Sequence, residues 1–242
     1  MNESGEEAIQ AGDCRVQVIR KDIKNIHFSV KPPDGKAILS IPLATRYEAA
    51  RAFALSKLPW IREKQASFQK QTRETLREYI ERESHYLWGK RYLLHVVERD
   101  GRPSVSLGHR EIILIVRPGS AEAKRAEVLG AWRRRLLHQE IPPLLEKWSE
   151  KLGVPRPRYF LRRMKTRWGS CNRLTGYIML NARLAGKPRN LLEYVIMHEL
   201  AHFLEPRHNN AFVAILDRHY SGWRDARAEL NELPLAAEAW RE

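Results

Sequence analysis

Between positions 198 and 208 the chain reads His198-Glu199-Leu200-Ala201-His202-Phe203-Leu204-Glu205-Pro206-Arg207-His208, three imidazoles and an adjacent carboxylate at metal-ligand spacing. Residues four apart on an α-helix share a face with Cβ atoms about 5–6 Å apart, so His198 and His202 can bind one Zn²⁺ at about 2.1 Å. Glu199 sits too near His198 in sequence to complete the same tetrahedron comfortably, yet it can reach a metal-bound water, which makes it the general-base candidate. A catalytic zinc site keeps its fourth position open and needs a third protein ligand. His208 is the best candidate, because Pro206 removes a helical hydrogen bond and lets the chain turn back toward the metal. Glu205, Glu229 and Glu232 are lesser alternatives, and His219 reads as an ordinary polar residue near a helix end. Zinc-dependent hydrolysis is the chemistry this set would do.

The elements that must hold these groups follow from the apolar pattern. Leu192, Val195, Ile196, Leu200, Ala201 and Leu204 recur at helical spacing, which predicts a helix over 190–205 with Asn190 and Glu193 as its capping pair. Asn209 or Asn210 would cap a second helix over 211–219, fixed by Phe212, Ile215 and Leu216, and a third should span 223–232. Ahead of them, 159–164 and the stretch from Trp168 are extended, and the turn Asn172-Arg173-Leu174-Thr175-Gly176 leads into 177–181, a hairpin directly before the metal helix. Trp168 and Ser170 on this hairpin are the substrate-binding candidates, since a peptide can be added beside an open strand edge. The bland alternative makes Trp168 a core aromatic and Gly169 a bulge.

The first half reads mainly as sheet. Strands over 15–20, 26–30 and 37–41, with a turn at Pro32-Pro33-Asp34-Gly35, predict a small β-meander. Residues 47–71 are helical, with Pro59 opening a second helix that turns Trp60 and Ile61 inward. Residues 87–97, around a Gly89-Lys90 turn, and 111–116 return to strand. The longest helical stretch, 121–151, should break or restart at Pro142-Pro143. No internal repeat or long linker is visible.

The 242 residues, 43% of them hydrophobic, suffice for a substantial core. Residues 1–13 are polar and are expected to be disordered. Neither a secretory signal nor a run of 18 apolar residues is found, so no membrane partner is expected. Cys14 and Cys171 form no disulfide or thiolate-zinc pattern, which points to a reducing cytoplasm. Forty-three Lys and Arg against 29 Asp and Glu give +14, enough to favour polyanions at long range. The basic runs Arg133-Arg134-Arg135 and Arg162-Arg163-Met164-Lys165-Thr166-Arg167 come without a helix-turn-helix, zinc-finger or ribonucleoprotein pattern. Nucleic acid is a candidate partner through this basic surface.

The residues Lys165-Thr166-Arg167-Trp168-Gly169-Ser170-Cys171, Leu180-Asn181, His198-Glu199-Leu200-Ala201-His202 and His208 together resemble the YgjP-type metallopeptidase family, relatives of the SprT-like zincins. The match is specific over 155–235 and looser around Gly89-Lys90-Arg91-Tyr92. The resemblance implies a minimal zincin fold, zinc on His198, His202 and His208, and Glu199 as the catalytic carboxylate. Metzincins share the spacing to the third histidine but require Gly where Glu205 stands and a later Met turn, and no Met follows Met197.

The expected architecture is therefore α+β: a disordered start (1–13), a β-rich region with one helical segment (14–120), and a zincin-like core (121–242), together forming one compact unit. The expected function is cleavage of a protein or peptide by Glu199-assisted attack of a zinc-bound water, with Arg167, His219 and Tyr220 as candidate oxyanion donors. The rival from another class is a nucleic-acid-associated protein with a structural zinc site. Between them stands a protease acting on nucleic-acid-bound proteins.

Overall fold

The computed structural model describes residues 7–31, 35–70, 77–164 and 167–232, the side chains of 67–70 excepted. Pro32, Pro33 and Asp34 of the expected turn, the end of the helix at Gln71, and Lys165 and Thr166 of the basic run lie outside the described residues. The architecture is α+β with mixed sheets. No helix among the described residues is long and apolar enough to cross a membrane.

The chain divides at 73/74 into two compact units. The first holds strands β1 (Glu7–Ala11), β2 (Cys14–Lys21), β3 (His27–Lys31) and β4 (Lys36–Pro42), then helices α1 (Tyr47–Ser56) and α2 (Leu58–Lys70). Strand order is β1-β2-β4-β3, with β2 and β4 parallel. The expected meander is thus corrected, because β4 inserts between β2 and β3 and buries Leu39 and Ile41 beside Val16 and Val18. Ala50, Ala54 and Ile61 of the two helices complete this core, while Trp60 is half-buried against it. Nor is the polar start wholly without structure. Residues 7–11 form β1, whose alternation buries Ile9 and Ala11 against β2 while Glu7 pairs with Arg20 at 2.9 Å.

The second unit opens with β5 (Ser84–Leu87), β6 (Lys90–Glu98), β7 (Ser104–Leu107) and β8 (Glu111–Val116), ordered β5-β6-β8-β7 with β6 and β8 parallel. The same order and orientations occur in the first sheet, so the topology repeats although no repeat is readable in the residues. What recurs is strand pattern, not side-chain identity: where β1 buries Ile9 and Ala11, β5 buries His85 and Leu87. This second sheet packs on Leu129 and Trp132 of α3 (Glu122–Leu152). Placing all of 14–120 in one β-rich region, in one compact unit with the rest, is therefore corrected. The sheet of β5–β8 belongs with the C-terminal helices, and its β5–β6 turn donates from Trp88 N to Ala185 O at 2.8 Å.

Helix α3 runs unbroken through Pro142 and Pro143. An internal proline costs about 3 kcal/mol locally, but Leu137, Ile141, Leu145, Trp148 and Leu152 form one buried stripe across the prolines, and burying such side chains returns about 1.5–3 kcal/mol each. Tertiary packing wins. Beyond it come β9 (Arg158–Arg162), β10 (Gly169–Asn172), β11 (Tyr177–Asn181), a 3₁₀ helix (Ala182–Gly186), and helices α4 (Arg189–Ala201), α5 (Asn210–His219) and α6 (Trp223–Glu232). The small sheet has order β10-β11-β9, leaving β10 and β9 as its edges. One face buries Ile178 and Leu180 in the core that α3, α4, α5 and α6 share.

Candidate active site

Helix α4 carries His198 and Glu199 on its last turn and ends sooner than the apolar pattern predicts, with His202 as its C-cap residue. The capping pair is also different. Pro188 occupies the N-cap, Asn190 reaches Glu229, and Glu193 accepts from Lys147 Nζ at 2.7 Å and Trp148 Nε1 at 3.0 Å. What aims the helix instead is burial on nearly every side, from Leu191 to Ala201. Gly89 contributes at its start, since a Cβ there would meet Pro188 Cγ at 2.7 Å and Gly89 holds φ at +77°.

After α4 the chain turns, and Asn209 caps α5 by accepting from Phe212 N at 3.0 Å, which holds His208 just outside the helix entrance. The three imidazoles converge. Their ring centroids lie 5.0, 5.1 and 4.7 Å apart, and the buried Phe212 ring sits 4.7–5.0 Å from each as a common floor. One ligand atom from each histidine falls within 4.8 Å of the others, a grouping able to hold a metal ion.

The local chemistry fits a cation. Nε2 of His198 and Nε2 of His208 face each other at 3.1 Å, close to the ~3.3 Å edge of a tetrahedron with bonds of about 2.05 Å. His202 Nδ1 lies 3.1 Å from the Glu205 carbonyl, an orientation that leaves its other nitrogen for the cluster. His198 Nδ1 is buried and has no hydrogen-bond partner among the described residues. Burial, then the neighbouring His202 and His208, hold the His198 imidazole down to about 3, and burial lowers His202 as well. Both are neutral at pH 7, as ligands must be.

Glu199 is only 6% exposed. Burial pushes its carboxyl up to about 8, with Arg167 pulling the other way, and a bound cation would act in Arg167's sense. Its position depends on β10, where a Cβ on Gly169 would meet Glu199 Cγ at 2.7 Å and Cδ at 2.8 Å. Glu199 and the three histidines line a cleft of about 860 Å³ whose walls include Trp168, Ser170, Arg173, Tyr194 and Arg227. Glu199 is its only acidic lining residue among those described.

A family model described as YgjP-like, metallopeptidase domain, matches residues 24–233, well over half of the chain. The chain belongs to this family. The YgjP-like assignment makes it a metallopeptidase and implies a bound metal ion, for which His198, His202 and His208 fit. No curated protein matches the chain significantly. Among solved structures it is similar to the crystal structure of the metallopeptidase zymogen of Pyrococcus abyssi abylysin, with 22% identity over 36% of this chain and 89% of that one. The TM-score is 0.34, too low an overlap to carry an argument.

Within this YgjP-like metallopeptidase, Trp168 and Ser170 both line the cleft. Trp168 also packs half-buried against the core beneath Lys187, 5.6 Å from its ring. Of the candidate oxyanion donors, Arg167 lines the cleft and the other two do not. Tyr220 donates to Asn190 O at 3.3 Å and packs against Trp148, and Lys151 donates to the His219 carbonyl. Tyr194, Arg173, Arg227 and Gly169 were not anticipated. Tyr194 could have been found, as it precedes His198 by four residues and so shares its helix face. The contact of Gly169 with Glu199 is tertiary and has no local signal.

Proposed function

We propose that the chain is a zinc endopeptidase in which His198, His202 and His208 hold Zn²⁺ and Glu199 is the general base. The convergence of three imidazoles beside a buried carboxylate, at the wall of an open cleft, is the observation that carries this reading. Three histidines with an accessible fourth side are a catalytic zinc donor set rather than a closed structural one, which weighs against the rival of a purely structural zinc. When bound, Zn²⁺ lowers the pKa of water toward 7 and polarises the scissile carbonyl. Glu199 then accepts the proton of the attacking water and returns it to the leaving nitrogen. Tyr194, whose hydroxyl burial raises to about 12 and so keeps protonated, and Arg167 are the donors available to the developing oxyanion.

Peptide is received along β10. In an antiparallel ladder, opposed residues alternate between mutually bonded and outward-facing pairs. Asn181 N donates to Trp168 O at 2.8 Å, so in the register Gly169↔Leu180 and Cys171↔Ile178 the backbone groups of Gly169 and Cys171 point to the free edge. These groups would pair with an added strand and supply affinity with little sequence preference. The deciding experiment compares peptides released from a cell extract by the wild-type chain and by Glu199→Gln. New termini appearing only with the wild type support the reading. Equal cleavage by both would remove Glu199 as base.

A further inference from the structure

The small sheet has a second face that the peptidase chemistry does not use. In the parallel register of β9 and β11, Arg158, Phe160 and Arg162 stand opposite Tyr177, Met179 and Asn181. All six therefore point away from the face that buries Ile178 and Leu180; Asn181, at the end of the face, is covered by the loop before β10, and the open part is formed by the others. Phe160 is 52% exposed on an edge strand and meets Tyr177 edge-on at 5.3 Å. Arg158 and Arg162 flank it, both exposed, and β9, β10 and β11 contain no acidic residue.

We propose that this face binds single-stranded nucleic acid, with Phe160 as a stacking surface for a base and Arg158 and Arg162 as its phosphate contacts. Positions i and i+2 of a strand lie about 6.6–6.8 Å apart on one side. The Arg-Phe-Arg alternation therefore offers charge, flat apolar surface and charge again along β9. A single strand has the same composition, anionic groups between free π faces, and aromatic stacking with a basic track is how proteins bind it without sequence preference. A duplex has no unstacked base to offer Phe160. A protein partner covering the face would desolvate both guanidinium groups and need a carboxylate for each. The excess charge of +14 favours a polyanion over that case. The site is separate from the cleft: none of Arg158, Phe160, Arg162 and Tyr177 lines it. A peptidase carrying this face would be held near proteins bound to single strands.

The test is fluorescence anisotropy of a labelled oligothymidine and of its duplex, titrated with the purified full-length chain over a range of salt. The wild type should bind the single strand more tightly than the duplex. Phe160→Ala should weaken single-strand binding by roughly tenfold or more, the size of one lost stack, and Phe160→Tyr should restore it. Arg158→Gln combined with Arg162→Gln should lower the slope of log affinity against log salt by about 1.4, two contacts at ~0.7 each. This second arm stands even if Phe160→Ala lowers the melting temperature. Duplex binding as tight as single-strand binding, an unchanged salt slope, or a folded Phe160→Ala chain that binds like wild type would each overturn the proposal. Phe160-dependent binding of polyglutamate in place of oligothymidine would overturn it in favour of an acidic protein partner.

Discussion

A side chain at position 169 would occupy the space of the Glu199 carboxyl, with contacts of 2.7 and 2.8 Å to Cγ and Cδ. Gly169→Ala must therefore push Glu199 aside while leaving the three histidines free to bind, since the nearest atoms to the added Cβ all belong to Glu199. The expected result is a chain that keeps its metal and loses activity on the order of 10²-fold, the penalty for a misplacement of about 1 Å. Metal content and kcat measured on the same preparation check this, and unchanged activity would mean that the carboxyl has other room. At this scale much of the site is legible in the sequence. His198 and His202 follow from helical spacing, and His208 from the turn that Pro206 compels. Gly169 and Arg227 are not legible as cleft residues, because what makes them so is the approach of distant segments rather than anything in their own neighbourhood.

Elements bring those segments together, and Asn181 is one of the joints between them. Fully buried at the end of β11, it donates through Nδ2 to Met164 O at 2.9 Å and Arg167 O at 2.8 Å, and accepts from Arg183 N at 3.2 Å. It thereby ties the loop before β10 to the start of the 3₁₀ helix, and with it Trp168 and Gly169. Asn181→Ala leaves two carbonyls and an amide at part-buried positions without that partner, and an unsatisfied group costs up to about 1–3 kcal/mol where water cannot reach it. A lowered urea midpoint with unchanged m-value is expected, together with weakened cleavage; a midpoint equal to wild type would show that the loop holds itself. Helices with strong apolar periodicity were predictable to within a few residues, as α5 and α6 show. The unbroken α3 and the insertion of β4 between β2 and β3 were not, because packing overrides the local cost of Pro142-Pro143 and strand order is set by long-range pairing.

For the molecule as a whole, the site trades stability for chemistry when metal is absent. His198 is held down to about 3 and His202 is also lowered, so their contribution is present above the ordinary value of 6.5 and is lost as pH falls toward 3. Glu199 is raised to about 8, so its contribution is present below 4.5 and is lost as pH rises through 8. Metal-free Glu199→Gln should therefore melt higher than metal-free wild type at pH 8, on the order of 5 °C, with the gap shrinking at pH 5. A gap that is the same at both pH values would mean that Glu199 is not desolvated in the folded chain. Three histidines from two segments, His198 and His202 on one and His208 on the other, are proposed to hold one zinc ion. Elemental analysis of the purified wild type and of His208→Ala tests this. One zinc per wild-type chain is expected, with a substoichiometric amount in His208→Ala after dialysis against a weak chelator. A wild-type chain without stoichiometric zinc, or a His208→Ala chain that retains all of it, would overturn the three-histidine site.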